Sequence, residues 1–237
     1  LAAMSGSVNV SIIIPAFNEE RTILEVLEKI RLQKIKDTTV EVVVVDDGST
    51  DKTAEIVEAN SHLYSVFIRQ QPNQGKGAAV KAGLKAATGE YVLFQDADLE
   101  YDPAEYERLL IPVLRFQADI VMGSRLIGAE FTRVHYFWHN LGNRMITLLF
   151  NVLNNTTFTD IYSCYLLFRR TLVTPDELKT VGWEQHAEIL CTASTRAKSM
   201  YEVPITYHGR TYEDGKKIRA HHVIPVIWMI IKKSLFR

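Results

Sequence analysis

The sequence predicts an α/β fold in which a mixed but mostly parallel sheet is flanked by helices. Short runs rich in Val, Ile and aromatics alternate with helical periods through the first half, the pattern that builds parallel strands joined by crossover helices. The run VVVV is apolar without alternation, as a strand covered on both faces must be. Hydrophobic residues make up 47% of the chain and charged residues 23%, the mix of a packed globular protein.

Strands are expected over 8–14, 40–45, 64–69, 91–95 and 119–122. Between them, 19–34 sets Ile23, Leu27 and Ile30 on one helical stripe, Asp51 is placed to cap a helix over 52–60, and Gly89 to end one over 77–88. Pro103 suits the first turn of the next helix. The second half loosens this rhythm, with helices expected at 136–154 and 183–198 and strands at 162–168 and 200–206. A polar stretch, YHGRTYEDGKKIRAHH, then leads into an apolar-then-basic end carrying Trp228, Lys232, Lys233, Phe236 and Arg237. That end, 222–237, suits either a helix packed on the core or an amphipathic helix lying on an anionic membrane surface.

At 237 residues the chain is long enough for one large core, and 8–237 is read as a single domain. Residues 1–7 lack the charged and apolar segments of a signal peptide and are read as an expression remnant or disordered end. The 27 basic and 28 acidic residues leave a net charge of −1, so no basic field is available for nucleic acid. Two cysteines, Cys164 and Cys191, without ligand spacing exclude a disulfide framework or zinc finger and fit a reducing, cytoplasmic setting.

The sharpest chemical signal is FQDADLE, where Asp96 and Asp98 stand two apart at a strand end and therefore point to one side of an extended chain. Two converging carboxylates repel unless a hard cation lies between them, and Mg²⁺ or Mn²⁺ shared with substrate phosphates meets that need. Acidic residues after a strand also cap the following helix, so context decides. VVVVDDGSTD supplies it: a buried strand ends in Asp47, and ligands of open α/β sheets bind beyond the carboxyl ends of strands. NQGKGAAV has the look of a phosphate loop, but Gly75-x-Gly77-x-x-Val80 lacks the third small residue of a dinucleotide fingerprint, and no Walker motif is present. Lys76 stays useful as a cation between two glycines, Arg125 follows a strand, and Glu184 and Glu188 lie one helical turn apart.

Taken in order, PAFNEE, VVVVDDGSTD, NQGKGAAVKAGLKAATGEYVLFQDADLEYDP, GSR, TDIYSCYLLFRR and EVPITYHGRTYEDGKK resemble a family-2 inverting glycosyltransferase of the dolichyl-phosphate mannose synthase type. The resemblance implies a GT-A fold, a UDP- or GDP-linked sugar donor, and a divalent metal, with a nucleotide-sugar half over 8–123 and an acceptor half over 124–237. Pro15, Phe17, Glu19 and Asp47 match positions that cradle the nucleoside, with Lys76 nearby; Asp96, Ala97 and Asp98 match the metal and diphosphate motif, which Glu100 extends by a carboxylate. Arg125 and Arg210 match basic positions near the phosphates, and Lys216 and Lys217 belong to a loop that closes over them.

The implied reaction passes a sugar to a polyprenyl phosphate at the cytoplasmic membrane face, with Asp98 and Arg210 at the reacting groups. A phosphate acceptor is largely ionised at neutral pH and needs no strong base. The alternative acceptor, a glycan or lipid hydroxyl, needs one, and Asp160 and Glu184 are its candidates. A non-catalytic nucleotide-sugar-binding protein is the third reading.

Overall fold

The computed structural model describes residues 7–128, 137–209 and 223–235, apart from the side chains of 138 and 139. In chain order its elements are β1 (Val8–Ala16), α1 (Ile23–Leu32), β2 (Thr38–Asp46), α2 (Thr53–Ala59), β3 (Val66–Arg69), α3 (Lys76–Ala86), β4 (Tyr91–Phe94), α4 (Tyr106–Phe116), β5 (Ile120–Ser124), α5 (Phe137–Asn154), β6 (Leu166–Arg169), α6 (Gln185–Arg196), β7 (Met200–Pro204) and α7 (Val223–Leu235). The strands form one seven-stranded sheet in the order β3-β2-β1-β4-β6-β5-β7. Every pairing is parallel except those of β6, which runs antiparallel to both β4 and β5.

The apolar runs work as their patterns require. Ile13, Val43 and Val45 face one side of the sheet with Phe94, Phe150 and Phe168, while Ile12, Ile14, Val42 and Val44 face the other with Leu27, Tyr106 and Leu109. Both faces are thus covered, which explains why β1 and β2 carry no polar alternation over their central residues.

Several expected boundaries move, each for a local reason. The helix expected from 19 begins at Ile23, because Asn18 takes a left-handed φ of 53° and Glu19 forms the turn that precedes the helix. Glu19 is thereby left at the rim of the sheet. The strand expected over 162–168 starts at Leu166, since Tyr162 turns away to donate its hydroxyl to the Trp183 carbonyl at 3.0 Å. Gly89 does not end α3, which stops at Ala86; a Cβ at Gly89 would sit 2.7 Å from the Ser11 backbone nitrogen, so the glycine lets the chain cross β1 closely. Pro103 opens a short 3₁₀ turn over Pro103–Glu105 rather than α4, with Asp102 accepting from the Ala104 N–H at 3.0 Å.

Candidate active site

The carboxyl ends of β1, β2 and β4 open into a cleft of about 310 Å³. Its walls bring together Pro15, Phe17 and Glu19 after β1, Asp47 after β2, Lys76 at the start of α3, and Asp96, Ala97, Asp98 and Glu100 after β4. Nine candidates scattered over the first hundred residues thus meet in one place, Ala16 adding the adjoining wall. A smaller compartment of about 90 Å³ lies beside it and shares Pro15, Lys76, Asp96, Glu100, Trp183 and Tyr207 with it.

Each side chain is held by identifiable contacts. Asp47 accepts the backbone N–H groups of Gln74 and Gly75, both at 2.9 Å, and Asn73 donates to its carbonyl at 2.8 Å. Burial outweighs these bonds and raises its carboxyl above the usual range. The Glu19 N–H donates to Thr53 Oγ1 at 2.8 Å, fixing the loop after β1 to the start of α2. Lys76 Nζ lies 2.5 Å from Asp96 Oδ1 and 4.9 Å from the centre of the Trp183 ring. Burial works against both charges, but the attraction within the pair holds Lys76 above and Asp96 below their ordinary values.

The glycines around Lys76 have a different cause from the one their pattern suggests. Gly77 donates its N–H to the Val181 carbonyl at 2.8 Å, and a Cβ at either Gly75 or Gly77 would strike the Val181 backbone at 2.6 Å. Together with the φ of 98° at Gly75, this makes the motif a seat for the 179–183 loop, which carries Trp183 into the cleft.

Arg125 and Asp160 meet as one unit beneath the smaller compartment. The guanidinium donates Nε and Nη2 to the two carboxylate oxygens at 2.6 and 2.8 Å, the Arg125 N–H adds a bond at 3.1 Å, and Asn143 a fourth at 2.9 Å. Burial opposes ionisation of Asp160, yet Arg125 holds its carboxyl below the usual range. The guanidinium also lies 5.1 Å from the Tyr207 ring centre. Asp160 lines neither compartment; Glu184, just ahead of α6 and against Gly182, lines neither as well. Glu188 is fully buried and accepts from the N–H groups of Lys179 and Thr180, so it braces the same loop that carries Trp183. Arg210, Lys216 and Lys217 lie outside the described residues.

The metal expectation is met by donor type but not by a ready-made cluster. Asp96, Asp98 and Glu100 supply hard carboxylate oxygens at one cleft, suited to Mg²⁺ or Mn²⁺. Among the described residues no three His, Cys, Asp or Glu side chains converge as a metal cage. Asp96 is engaged by Lys76, and Tyr207 donates to Glu100 Oε2 at 2.8 Å, so the residues fit an ion whose shell is completed by substrate phosphates.

Trp183, Tyr207 and Asn73 are wall residues that the motif reading did not single out. Trp183 had one usable signal, its place directly before the flagged Glu184; Tyr207 opens the polar stretch but gave no sign that it would bridge to Tyr101.

Residues 11–174 match the family described as glycosyl transferase family 2. Among curated relatives, the low-salt glycan biosynthesis hexosyltransferase Agl6 of Haloferax volcanii is 30% identical over 86% of this chain and 48% of its own length. A dolichyl-phosphate beta-glucosyltransferase of Trichomonas vaginalis is 31% identical over 98% of this chain and 74% of its own. The dolichol-phosphate mannosyltransferase of Pyrococcus furiosus is 29% identical over 87% and 58%. The chain therefore spans only about half the length of the first of these relatives.

Among solved structures, glucosyl-3-phosphoglycerate synthase of Mycobacterium tuberculosis, held with Mn²⁺ and UDP, superposes with a TM-score of 0.69 over 96% of this chain and 80% of that one at 19% identity. Staphylococcus aureus TarS with UDP-GlcNAc gives a TM-score of 0.64 over 95% and 66% at 21% identity. The sheet order, with its antiparallel β6, is the GT-A fold of these neighbours. With the family match covering the strands that build the cleft, the chain belongs to glycosyl transferase family 2.

Proposed function

We propose that the chain transfers a sugar from a UDP- or GDP-linked donor to a polyprenyl phosphate at the cytoplasmic face of a membrane. The observation that carries this reading is the convergence of Pro15, Phe17, Glu19, Asp47, Lys76, Asp96 and Asp98 on one cleft at the carboxyl ends of three strands. Relatives named for dolichyl- and undecaprenyl-phosphate transfer support the acceptor class.

In this reading Pro15, Phe17, Glu19 and Asp47 take the nucleoside, and Lys76 faces the diphosphate. Asp96 and Asp98, with Glu100 beside them, would hold Mg²⁺ or Mn²⁺ together with the diphosphate oxygens. A divalent ion there neutralises charge growing on the departing nucleoside diphosphate. Arg210 serves the same phosphates by its matched position. The acceptor phosphate, mostly dianionic above its second pKa of about 6, attacks the anomeric carbon from the face opposite the leaving group and inverts it.

The state of Asp160 favours the phosphate acceptor over a hydroxyl one. Its oxygens already accept four hydrogen bonds and its carboxyl is acidic, which suits a group that positions Arg125 rather than one that removes a proton.

Contact with a membrane surface is supported by two helices. On α7, Val226, Met229 and Ile230 pack inward, the core-packing role its sequence allowed, while Ile224, Trp228 and Leu235 stay exposed, which supports the membrane-surface role as well. On the neighbouring α5, Phe137, Leu141, Met145, Leu148 and Val152 form a second exposed stripe at helical spacing. Among the described residues no helix is long and apolar enough to cross a membrane. Neither Cys164 nor Cys191 is in a disulfide, as suits the cytoplasmic side.

Calorimetric titration with UDP and with GDP, each with and without Mn²⁺, tests the donor site. Metal-dependent binding of one nucleotide is expected, followed by transfer of labelled sugar to undecaprenyl phosphate in anionic vesicles. Failure of folded protein to bind either nucleotide sinks the reading; transfer only to soluble glycan hydroxyls overturns the acceptor assignment alone.

A further inference from the structure

The smaller compartment has a polar character that the proposed function leaves unused. Ser163 Oγ, Gln185 Oε1 and His186 Nε2 are buried and have no hydrogen-bond partner among the described residues, and all three residues line this one space. Ser163 is 0% and Gln185 2% exposed. A buried polar atom left unpaired costs about 1–3 kcal/mol, so three at one place mark a site that something hydrogen-bonds when it is filled.

Their chemistry says what fills it. The Gln185 side-chain amide is oriented, because its Nε2 donates to the Thr180 carbonyl at 2.8 Å, and this leaves Oε1 as an acceptor only. His186 donates its other ring proton to the Ile161 carbonyl, while burial and the Lys76 cation push its pKa down to about 4. The neutral ring, held near Phe94 and Tyr162, therefore presents Nε2 as a bare lone pair. Ser163 can give or take. Two acceptors and one hydroxyl call for a neutral partner rich in O–H groups and repel an oxyanion.

Position completes the argument. The compartment shares Lys76, Asp96 and Glu100 with the larger cleft, while Phe17, Glu19 and Asp47 line the larger cleft alone and only Pro15 of the nucleoside set reaches both, so the smaller space extends from the diphosphate position away from most of the nucleoside set. In a nucleotide sugar the group beyond the diphosphate is the sugar ring. Resting on the donor-site assignment above, we infer that Gln185, His186 and Ser163 read the hydroxyls of a neutral hexosyl group and select against a uronic acid, whose carboxylate would face two lone pairs. Arg125, the other cation of this wall, gives Nε and Nη2 to Asp160, and that carboxylate offsets its charge toward a sugar carboxylate.

The test compares affinities for UDP, UDP-glucose and UDP-glucuronate, and for GDP, GDP-mannose and GDP-mannuronate, with Mn²⁺ throughout. In the wild-type protein the neutral-sugar donor of the preferred nucleotide is expected to bind at least about tenfold tighter than the uronate donor. His186→Phe and Gln185→Leu should each shrink that ratio about tenfold while leaving affinity for the bare nucleotide unchanged, which also shows that the variants fold. His186→Gln, which keeps an acceptor, should restore most of the ratio. Unchanged ratios in both apolar variants, or equal binding of neutral and uronate donors by the wild type, overturn the sugar assignment and leave the nucleotide site standing. Absence of any nucleotide binding by the folded wild type overturns both.

Discussion

Two carboxylate–cation pairs stand at this site, one in the larger cleft and one beneath the smaller compartment, and they are built differently. Lys76–Asp96 is a single contact at 2.5 Å whose side chains keep 32% and 20% of their surface exposed to the cleft. Arg125–Asp160 is bidentate, with side-chain exposures of 17% and 0%, and it is locked further by Asn143 and a backbone N–H. Glu202 of β7 extends that lock by accepting the N–H groups of Thr159 and Asp160. A carboxylate whose lone pairs are all taken is a structural anchor; one held in an open cleft by a single flexible cation and the Cys164 thiol can exchange that cation for another. The comparison teaches that an acidic residue near a site is assigned a role by its remaining hydrogen-bonding capacity, not by its proximity.

The largest effect should come from the anchored pair. Arg125→Ala leaves a fully buried carboxylate without its cation, and the expected loss is about 3–5 kcal/mol of folding stability by denaturant titration. A loss below about 1 kcal/mol would break the distinction between the pairs. Next, Asp98→Ala is expected to lower sugar transfer by about 10²–10³-fold, the usual scale for removing one electrostatic stabiliser of a departing charge. Asp160→Asn should instead show itself mainly in stability; a large fall in kcat with stability intact would restore Asp160 as a base.

Lys76→Met sharpens the contrast. Losing a charged hydrogen bond at a cleft should cost about 1.5–3 kcal/mol, less than the Arg125 change. Added Mn²⁺ should recover part of this deficit, since a divalent ion can take the place of the ammonium beside Asp96, and it should recover none of the Arg125→Ala deficit. Equal response of both variants to Mn²⁺ would mean that the two pairs do not differ in exchangeability.

How much of this was legible follows the same division. The D-x-D and DDGSTD carboxylates could be placed from sequence because each lies directly after a strand, and a parallel sheet carries all such loops to one edge. The Arg125–Asp160 pair could not, because it depends on β6 reversing direction between β4 and β5, which brings 160–164 under the end of β5. From sequence alone Arg125 stands as a phosphate contact and Asp160 as a base candidate for a hydroxyl acceptor; the fold adds that the two are paired. The Gly75 and Gly77 spacing suggested a phosphate loop because local sequence cannot show a backbone such as that of Val181 arriving from far along the chain. Ser163, Gln185 and His186 gave no signal for a related reason: a hydrogen-bonding role is visible only once their other partners have been counted.

The smallest effect tests the electrostatic state on which the sugar reading depends. His186 has a folded pKa of about 4, lowered first by burial and then by Lys76, against about 6.5 for an unperturbed histidine. Because the folded value lies below the unfolded one, the unfolded chain takes up a proton first as pH falls. The contribution of neutral His186 is thus fully present above about pH 6.5 and is lost between there and about pH 4, with a slope of at most about 1.4 kcal/mol per pH unit. Asp96 and Asp160, whose carboxyls are held below the usual range, lose their contributions at lower pH, so the two windows separate. In His186→Phe the slope between pH 6.5 and 4 should flatten by about that amount while the curve above pH 7 keeps its shape. An unchanged slope would mean that His186 takes up its proton as readily in the folded chain as in the unfolded one; below about pH 6.5 its Nε2 would then donate, and the compartment would there favour an oxyanion.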